Sequence, residues 1–240
     1  MKRANTTLLI AGFLVMTSVS FAQTTTNKST PTADAATMTK EKQQSITPQQ
    51  ALQKLKDGNS RFVSGKTLNR DLKKQVEVTS KGQYPHSVIL SCLDSRTSSE
   101  LIFDQGLGDV FNARVAGNFE NTDILGSMEF ACKAAGAKLV LVVGHTNCGA
   151  VKGACDNVQL GNLTNVIEQI KPATEAVKNV EGERNSKNHD YVEAVSKQNV
   201  LLTIADIRQR SPLLQEMESK GEIMIVGAMY NLETGAVDFY

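Results

Sequence analysis

Tryptophan is absent from the 240 residues, and only four Tyr and eight Phe are present. So few flat rings leave little material for a platform on which single-stranded bases could stack. Charge of one sign is not in excess either: 26 Lys and Arg stand against 25 Asp and Glu, a net +1. That balance removes the basic surface on which nucleic-acid binding depends. It also removes the one-sided charge of a disordered tail. Cysteine occurs four times, too seldom for a disulfide scaffold in a chain long enough not to need one. What is present is a 40% apolar composition, enough to build the core of one large α/β domain or two small ones.

The first residues stand apart from the fold. Lys2 and Arg3 give a positive start, Leu8 to Met16 is apolar throughout, and Ser20-Phe21-Ala22 offers small residues around a cleavage point. This is the pattern of a secretory signal peptide over residues 1–22. Its removal takes away Lys2 and Arg3 and leaves 24 basic against 25 acidic residues, a net −1. No Cys precedes Cys92, so a lipid-anchored cysteine at the new terminus is excluded. No later run reaches the ~20 apolar residues of a bilayer-spanning helix. The expectation is an exported, periplasmic protein with no membrane contact after cleavage. Residues 23–45 are rich in Thr, Ala, Lys and Gln and are expected to be a flexible, low-complexity segment. The folded domain is expected over 46–240.

Within that domain, strand-like and helix-like patterns alternate. Thr47-Pro48 is a helix start, a capping residue followed by proline, and Ala51, Leu52, Leu55 and Phe62 continue the stripe. Short apolar runs at Ser87 to Leu90, Val110 to Val115, Leu139 to Val143, Ile223 to Val226 and Val237 to Phe239 read as strands. Helical stripes lie between them, one capped at Thr122, one kinked or ended by Pro172, and one over Val192 to Met217 interrupted at Ser211-Pro212. Such alternation predicts an α/β fold with a mostly parallel sheet covered by helices on both faces. Ligands of such sheets gather beyond the carboxyl ends of the strands.

Two polar clusters fall there. Cys92-Leu93-Asp94-Ser95-Arg96 follows one strand, and His145-Thr146-Asn147-Cys148-Gly149 follows the most apolar one. Two thiols, an imidazole and a carboxylate suit four-coordinate Zn²⁺, whereas Mg²⁺ and Ca²⁺ prefer oxygen shells. Either motif alone is weak, since patterns this short arise by chance. Both at strand ends of one sheet are much stronger.

The pairing of Cys-x-Asp-Ser-Arg with a later His-x-x-Cys-Gly resembles the β-class carbonic anhydrases, and the likeness runs from about Thr47 to Tyr240. It includes Asp104-Gln105-Gly106, Asn112 to Asn118, and Ile225 to Ala228. The resemblance implies four parallel strands with an antiparallel edge strand, an N-terminal helical arm, and a homodimer or tetramer. It implies one Zn²⁺ per subunit on Cys92, His145 and Cys148, with Asp94 either as a fourth ligand in a closed state or paired with Arg96 in an open one. The implied activity is reversible hydration of CO2 to bicarbonate through a zinc-bound hydroxide, with Asp94 and Arg96 as the catalytic pair. Gln105 and Gly149 are the implied substrate-binding positions. Two other readings keep the same residues: a hydrolase of CS2 or COS, and a zinc-binding protein without catalysis.

Elsewhere plainer readings suffice. Cys132 and Cys155 are expected to be packed thiols, with a disulfide between them left open by spacing alone. His86 and His189 read as surface histidines without a role.

Overall fold

Seven consecutive buried residues, Leu139–His145, form the central strand of the sheet. Side chains of a strand alternate between its faces, so an unbroken apolar run requires cover on both sides. Val140 and Val142 enter one core with Val88, Leu90, Met128, Ile204, Ile207 and Leu214. Leu139, Leu141 and Val143 enter the other with Ile89, Ala51, Leu55 and Phe103.

The computed structural model describes Met1 and residues 37–240. The expected signal peptide beyond Met1, and residues 23–36 of the low-complexity segment, lie outside the described residues. The strands are β1 (Ser87–Ser91), β2 (Val110–Arg114), β3 (Leu139–His145), β4 (Met224–Tyr230) and β5 (Val237–Phe239). They lie in the order β2-β1-β3-β4-β5. The first four are mutually parallel, and β5 runs antiparallel along β4. This is the mostly parallel sheet that the alternating pattern predicts, with the antiparallel edge strand that the resemblance implies.

Helices α1 (Lys40–Ser45), α2 (Pro48–Val63) and α3 (Leu72–Thr79) precede β1. Helix α4 (Ser99–Ile102) lies between β1 and β2, and α5 (Thr122–Glu129) lies between β2 and β3. Between β3 and β4 come α6 (Gly149–Cys155), α7 (Leu163–Ala176), α8 (His189–Arg210) and α9 (Pro212–Ser219). Thr47 and Gln50 close a reciprocal capping box at the start of α2, which satisfies two otherwise unpaired amides. Gly58 lets α2 approach the end of α4: a Cβ there would stand 1.7 Å from the carbonyl oxygen of Phe103, the residue that caps α4.

Several expectations need correction. Lys40–Ser45, inside the segment expected to be flexible, form a helix whose Gln43 is buried. Its Nε2 donates to the carbonyls of Pro85 and Ala135 at 2.7 and 2.8 Å, so hydrogen bonds rather than apolar burial tie it down. The cap of α5 is Asn121, one residue before Thr122, with its side chain accepting from Ile124 N–H. Helix α7 passes through Pro172 and ends four residues later. Helix α8 begins at His189, three residues before the expected start, while the expected break at Ser211-Pro212 is where α8 stops and α9 begins.

Candidate metal centre

Register brings the two motifs together. Ser91, the last residue of β1, pairs with Val143 of β3, so Cys92 follows β1 on the level where β3 reaches Gly144 and His145. A left-handed turn at Asn147, φ 55°, then swings the chain so that Cys148 caps α6. Asparagine tolerates this backbone better than most residues. The ligand atoms of Cys92, His145 and Cys148 all lie within 4.8 Å of one another, and all three residues are buried. They rest on an apolar bed that includes Val151, Ile167, Ile170, Tyr191 and Val195.

The donor set fits zinc. The two sulfurs are 4.0 Å apart, close to the ~3.8 Å that two Zn–S bonds at the tetrahedral angle require. His145 Nδ1 lies 2.9 Å from the Thr146 carbonyl, an acceptor only, so Nδ1 carries the hydrogen and donates. Nε2 is then a bare lone pair, buried and without a hydrogen-bond partner. A ring nitrogen fixed by a carbonyl on its other side is the usual preparation of a metal ligand.

Proton affinities in the cluster follow from its crowding. A hydrogen bond from the Cys148 thiol brings Cys92 down to about 4 against the opposing effect of burial, with help from His145 and the amides of Gly117 and Asp94. The neighbouring Cys92 sulfur and burial push Cys148 up, while the amides of Ala150 and Val151 pull the other way. Burial works against a charged His145, but the Cys92 sulfur, the Thr146 carbonyl and Asp94 outweigh it and raise its proton affinity. The first proton therefore leaves the thiol pair readily, and the second is held until something positive replaces it.

Asp94 lies beside this group without joining it. Its Oδ1 accepts from Arg96 Nε at 2.9 Å and its Oδ2 from Arg96 Nη2 at 2.7 Å. Oδ2 is 4.0 Å from His145 Nε2. The Arg96 bonds hold the Asp94 carboxyl well below the usual carboxylate range, despite the contrary effect of burial. Arg96 itself is exposed. Gly149 is the first residue of α6, and the space where its Cβ would stand is open.

Gln105 is not brought to the thiols within the chain. It lines a separate cavity of about 200 Å³ with Lys54, Arg61, Arg70, His86 and Asp104. There its Nε2 donates to the Phe103 and Asp104 carbonyls and its Oε1 lies 3.0 Å from His86 Nε2. His86 is buried, not the surface residue expected. Cys132 and Cys155 are both free; burial pushes them up to about 12 and about 11, and neither joins the cluster.

Sequence reading missed the groups that hold the loops in place. Arg114 Nε donates to the Cys92 carbonyl at 3.0 Å and Nη2 to the Asp94 carbonyl at 2.6 Å. Thr97 Oγ1 bonds to the same two carbonyls. The Gly117 N–H points at Cys92 Sγ, 3.4 Å away. Arg114 and Gly117 lie at and just beyond the end of β2, the strand next to β1, inside the Asn112 to Asn118 stretch of the resemblance, which by itself assigns neither a role.

Comparison with known proteins agrees with this geometry. The family profile described as carbonic anhydrase matches residues 87–237. Carbonic anhydrase 2 of Mycobacterium tuberculosis is 34% identical over 194 residues, which is 78% of this chain and 90% of that protein. Among solved structures, the β-carbonic anhydrase CcaA superposes with a TM-score of 0.61 at 28% identity, covering 80% of this chain and 88% of that one. One of two tetrameric β-carbonic anhydrases from Sordaria macrospora shares the fold at 22% identity, with a TM-score of 0.59 over 68% of this chain and 84% of that one.

Proposed function

The chain belongs to the β-class carbonic anhydrases, zinc enzymes that interconvert CO2 and bicarbonate, and on that premise we propose how its residues divide the work. Cys92, His145 and Cys148 hold the ion. Zinc bound there supplies a Lewis acid that lets water act as a nucleophile near neutral pH. Asp94 would accept a hydrogen bond from the nucleophilic water and so aim that oxygen's lone pair at the carbon of CO2, with the proton released on hydration passing to solvent. Arg96 keeps the Asp94 carboxylate ionised and away from the ligand atoms. The Gly149 backbone, beside open space, borders the volume that the product anion occupies. Gln105 braces His86 in its own subunit, so contact with substrate would be made only across a subunit boundary.

The observation that carries this reading is the count of donors. A structural zinc site closes with four protein ligands, and a catalytic one keeps a position open. Among the described residues three donor atoms cluster, and the nearby carboxylate is taken by Arg96. X-ray absorption on the zinc-loaded protein should find two sulfurs, one nitrogen and one light-atom ligand from solvent. Four protein ligands at every pH would overturn the proposal. Turnover of CO2, COS and CS2 measured side by side would separate hydration from hydrolysis of the other linear substrates.

The same proposal extends to setting. The N-terminal pattern of Lys2, Arg3 and the apolar run to Met16 supports export to the periplasm. No helix among the described residues is long and apolar enough to cross a membrane. Strand β2 is an edge of the sheet, and Leu93, Leu101 and Phe130 are exposed. These features support assembly of two or four copies, which sedimentation would count.

A further inference from the structure

We propose that α8 is the positioning element of the metal centre, with Asn199 holding the Gly117 turn that lies against Cys92 and Glu193 holding the loop between His145 and Cys148. The inference rests on Cys92, His145 and Cys148 holding the ion. Asn199 is buried, and its Nδ2 donates to the Gly117 carbonyl at 2.7 Å. The N–H of that same residue, in the adjoining peptide, points at Cys92 Sγ, so the carbonyl bond anchors the turn from which the N–H projects. Gly117 has φ +81°, and a Cβ there would stand 2.4 Å from Ile170 Cδ1. Glycine is needed at this position, and glycine alone does not hold a peptide in place. Asn199 supplies the missing restraint.

Glu193 acts on the other loop. Its Oε1 accepts the Asn147 N–H at 2.8 Å, and Lys152 Nζ donates to Asn147 Oδ1 at 3.1 Å. Asn147 is the left-handed residue between His145 and Cys148, so its orientation sets how the imidazole and the second thiol converge. The helix also touches the strand that carries His145. A Cβ on Gly144 would stand 2.7 Å from Val200 Cγ2 and 3.6 Å from the Ser196 carbonyl. Residues 193, 196 and 200 are three or four apart and share one face of the helix. Tyr191, Val192 and Val195 pack into the same cluster as Cys92 and Cys148. One rigid element therefore restrains both loops before any ion arrives, and groups that orient ligands in this way govern metal affinity.

The test compares the wild-type protein with Glu193→Ala, Glu193→Gln, Asn199→Leu and, as a control further along the helix, Thr203→Val. Zinc affinity is read by competition with a chromophoric chelator, and thiolate geometry by the visible thiolate-to-cobalt band of the cobalt(II) form. Glu193→Ala and Asn199→Leu should each weaken zinc binding about tenfold or more and shift or weaken the cobalt band. Glu193→Gln keeps an acceptor oxygen and should recover most of the affinity. Thr203→Val should bind like the wild type. If Asn199→Leu does not fold, the two Glu193 variants decide. Wild-type affinity and an unchanged cobalt band in Glu193→Ala would overturn the proposal, and so would an equal loss in Thr203→Val, which would mark general destabilisation. A wild-type chain that took up no zinc would instead take down the ligand assignment, and the role of α8 with it.

Discussion

Asp104 and the Cys92–His145–Cys148 group are both buried polar clusters, yet one is paired with charges of opposite sign and the other is not. Asp104 is 3% exposed. Its Oδ2 accepts from Arg61 Nε at 2.6 Å and from the Leu68 N–H at 3.2 Å, and its Oδ1 accepts from Arg70 Nη1. Even its main-chain carbonyl takes Arg70 Nη2 at 2.5 Å. A buried charge costs stability unless it is paired and hydrogen-bonded, and here two guanidinium groups and a main-chain amide of the same chain answer the carboxylate. At the thiol cluster His145 Nε2 has no hydrogen-bond partner, and the sulfurs face each other and main-chain amides rather than any charged side chain of opposite sign. Such a deficit is costly, and in a cluster of three metal-type donors a bound ion would remove it. The paired cluster is architecture; the unpaired one is a binding site.

The largest effect should come from removing a donor at the unpaired cluster. Cys148→Ser replaces a soft thiolate by a hydroxyl that stays protonated, and zinc retention depends on deprotonated ligands. Metal analysis should show zinc falling from about one per chain toward none, and stopped-flow CO2 hydration should vanish with it. Retention of both would break the distinction just drawn. Next in size is Arg96→Ala. The ligands remain, so zinc content should be unchanged, but Asp94 loses its partner. A fall of about 10–100-fold in kcat/KM is expected, and full activity would remove Arg96 from the mechanism.

The sequence made the ligands legible because each motif is local. Cys92 to Arg96 and His145 to Gly149 each follow a strand directly, and strand-end placement needs only hydrophobic periodicity to read. The restraints on those motifs were not legible, since they act across the fold. Asn199 reaches Gly117 across 82 positions and Glu193 reaches Asn147 across 46, and each bonds to a main-chain atom, which carries no residue signature. The polar segment up to Ser45 misled for a related reason. Lack of apolar residues argues for disorder, but Gln43 is ordered by two carbonyls of distant loops. Gln105 is a substrate-binding position by resemblance alone; within one chain it bonds to His86 and to two carbonyls.

Two smaller effects test the paired cluster. Asp104→Asn keeps the shape and removes the charge that Arg61 and Arg70 share, which should lower unfolding free energy by about 2–3 kcal/mol. Urea denaturation would measure this, and zinc affinity should not change; a loss of zinc there would merge the two regions into one functional unit. The pH dependence gives the sign. Burial opposes ionisation of Asp104, but Arg61, Arg70 and the Leu68 amide outweigh it and hold the carboxyl below its ordinary value. A group whose folded pKa is depressed takes up its proton more easily in the unfolded chain, so its contribution is complete above the unfolded value of ~3.9 and fades as pH falls through the folded one. The stability gap between wild type and Asp104→Asn should therefore be full at neutral pH and begin to close below about pH 4. A gap that stayed constant down to pH 3 would mean that shape, and not charge, is what Asp104 contributes.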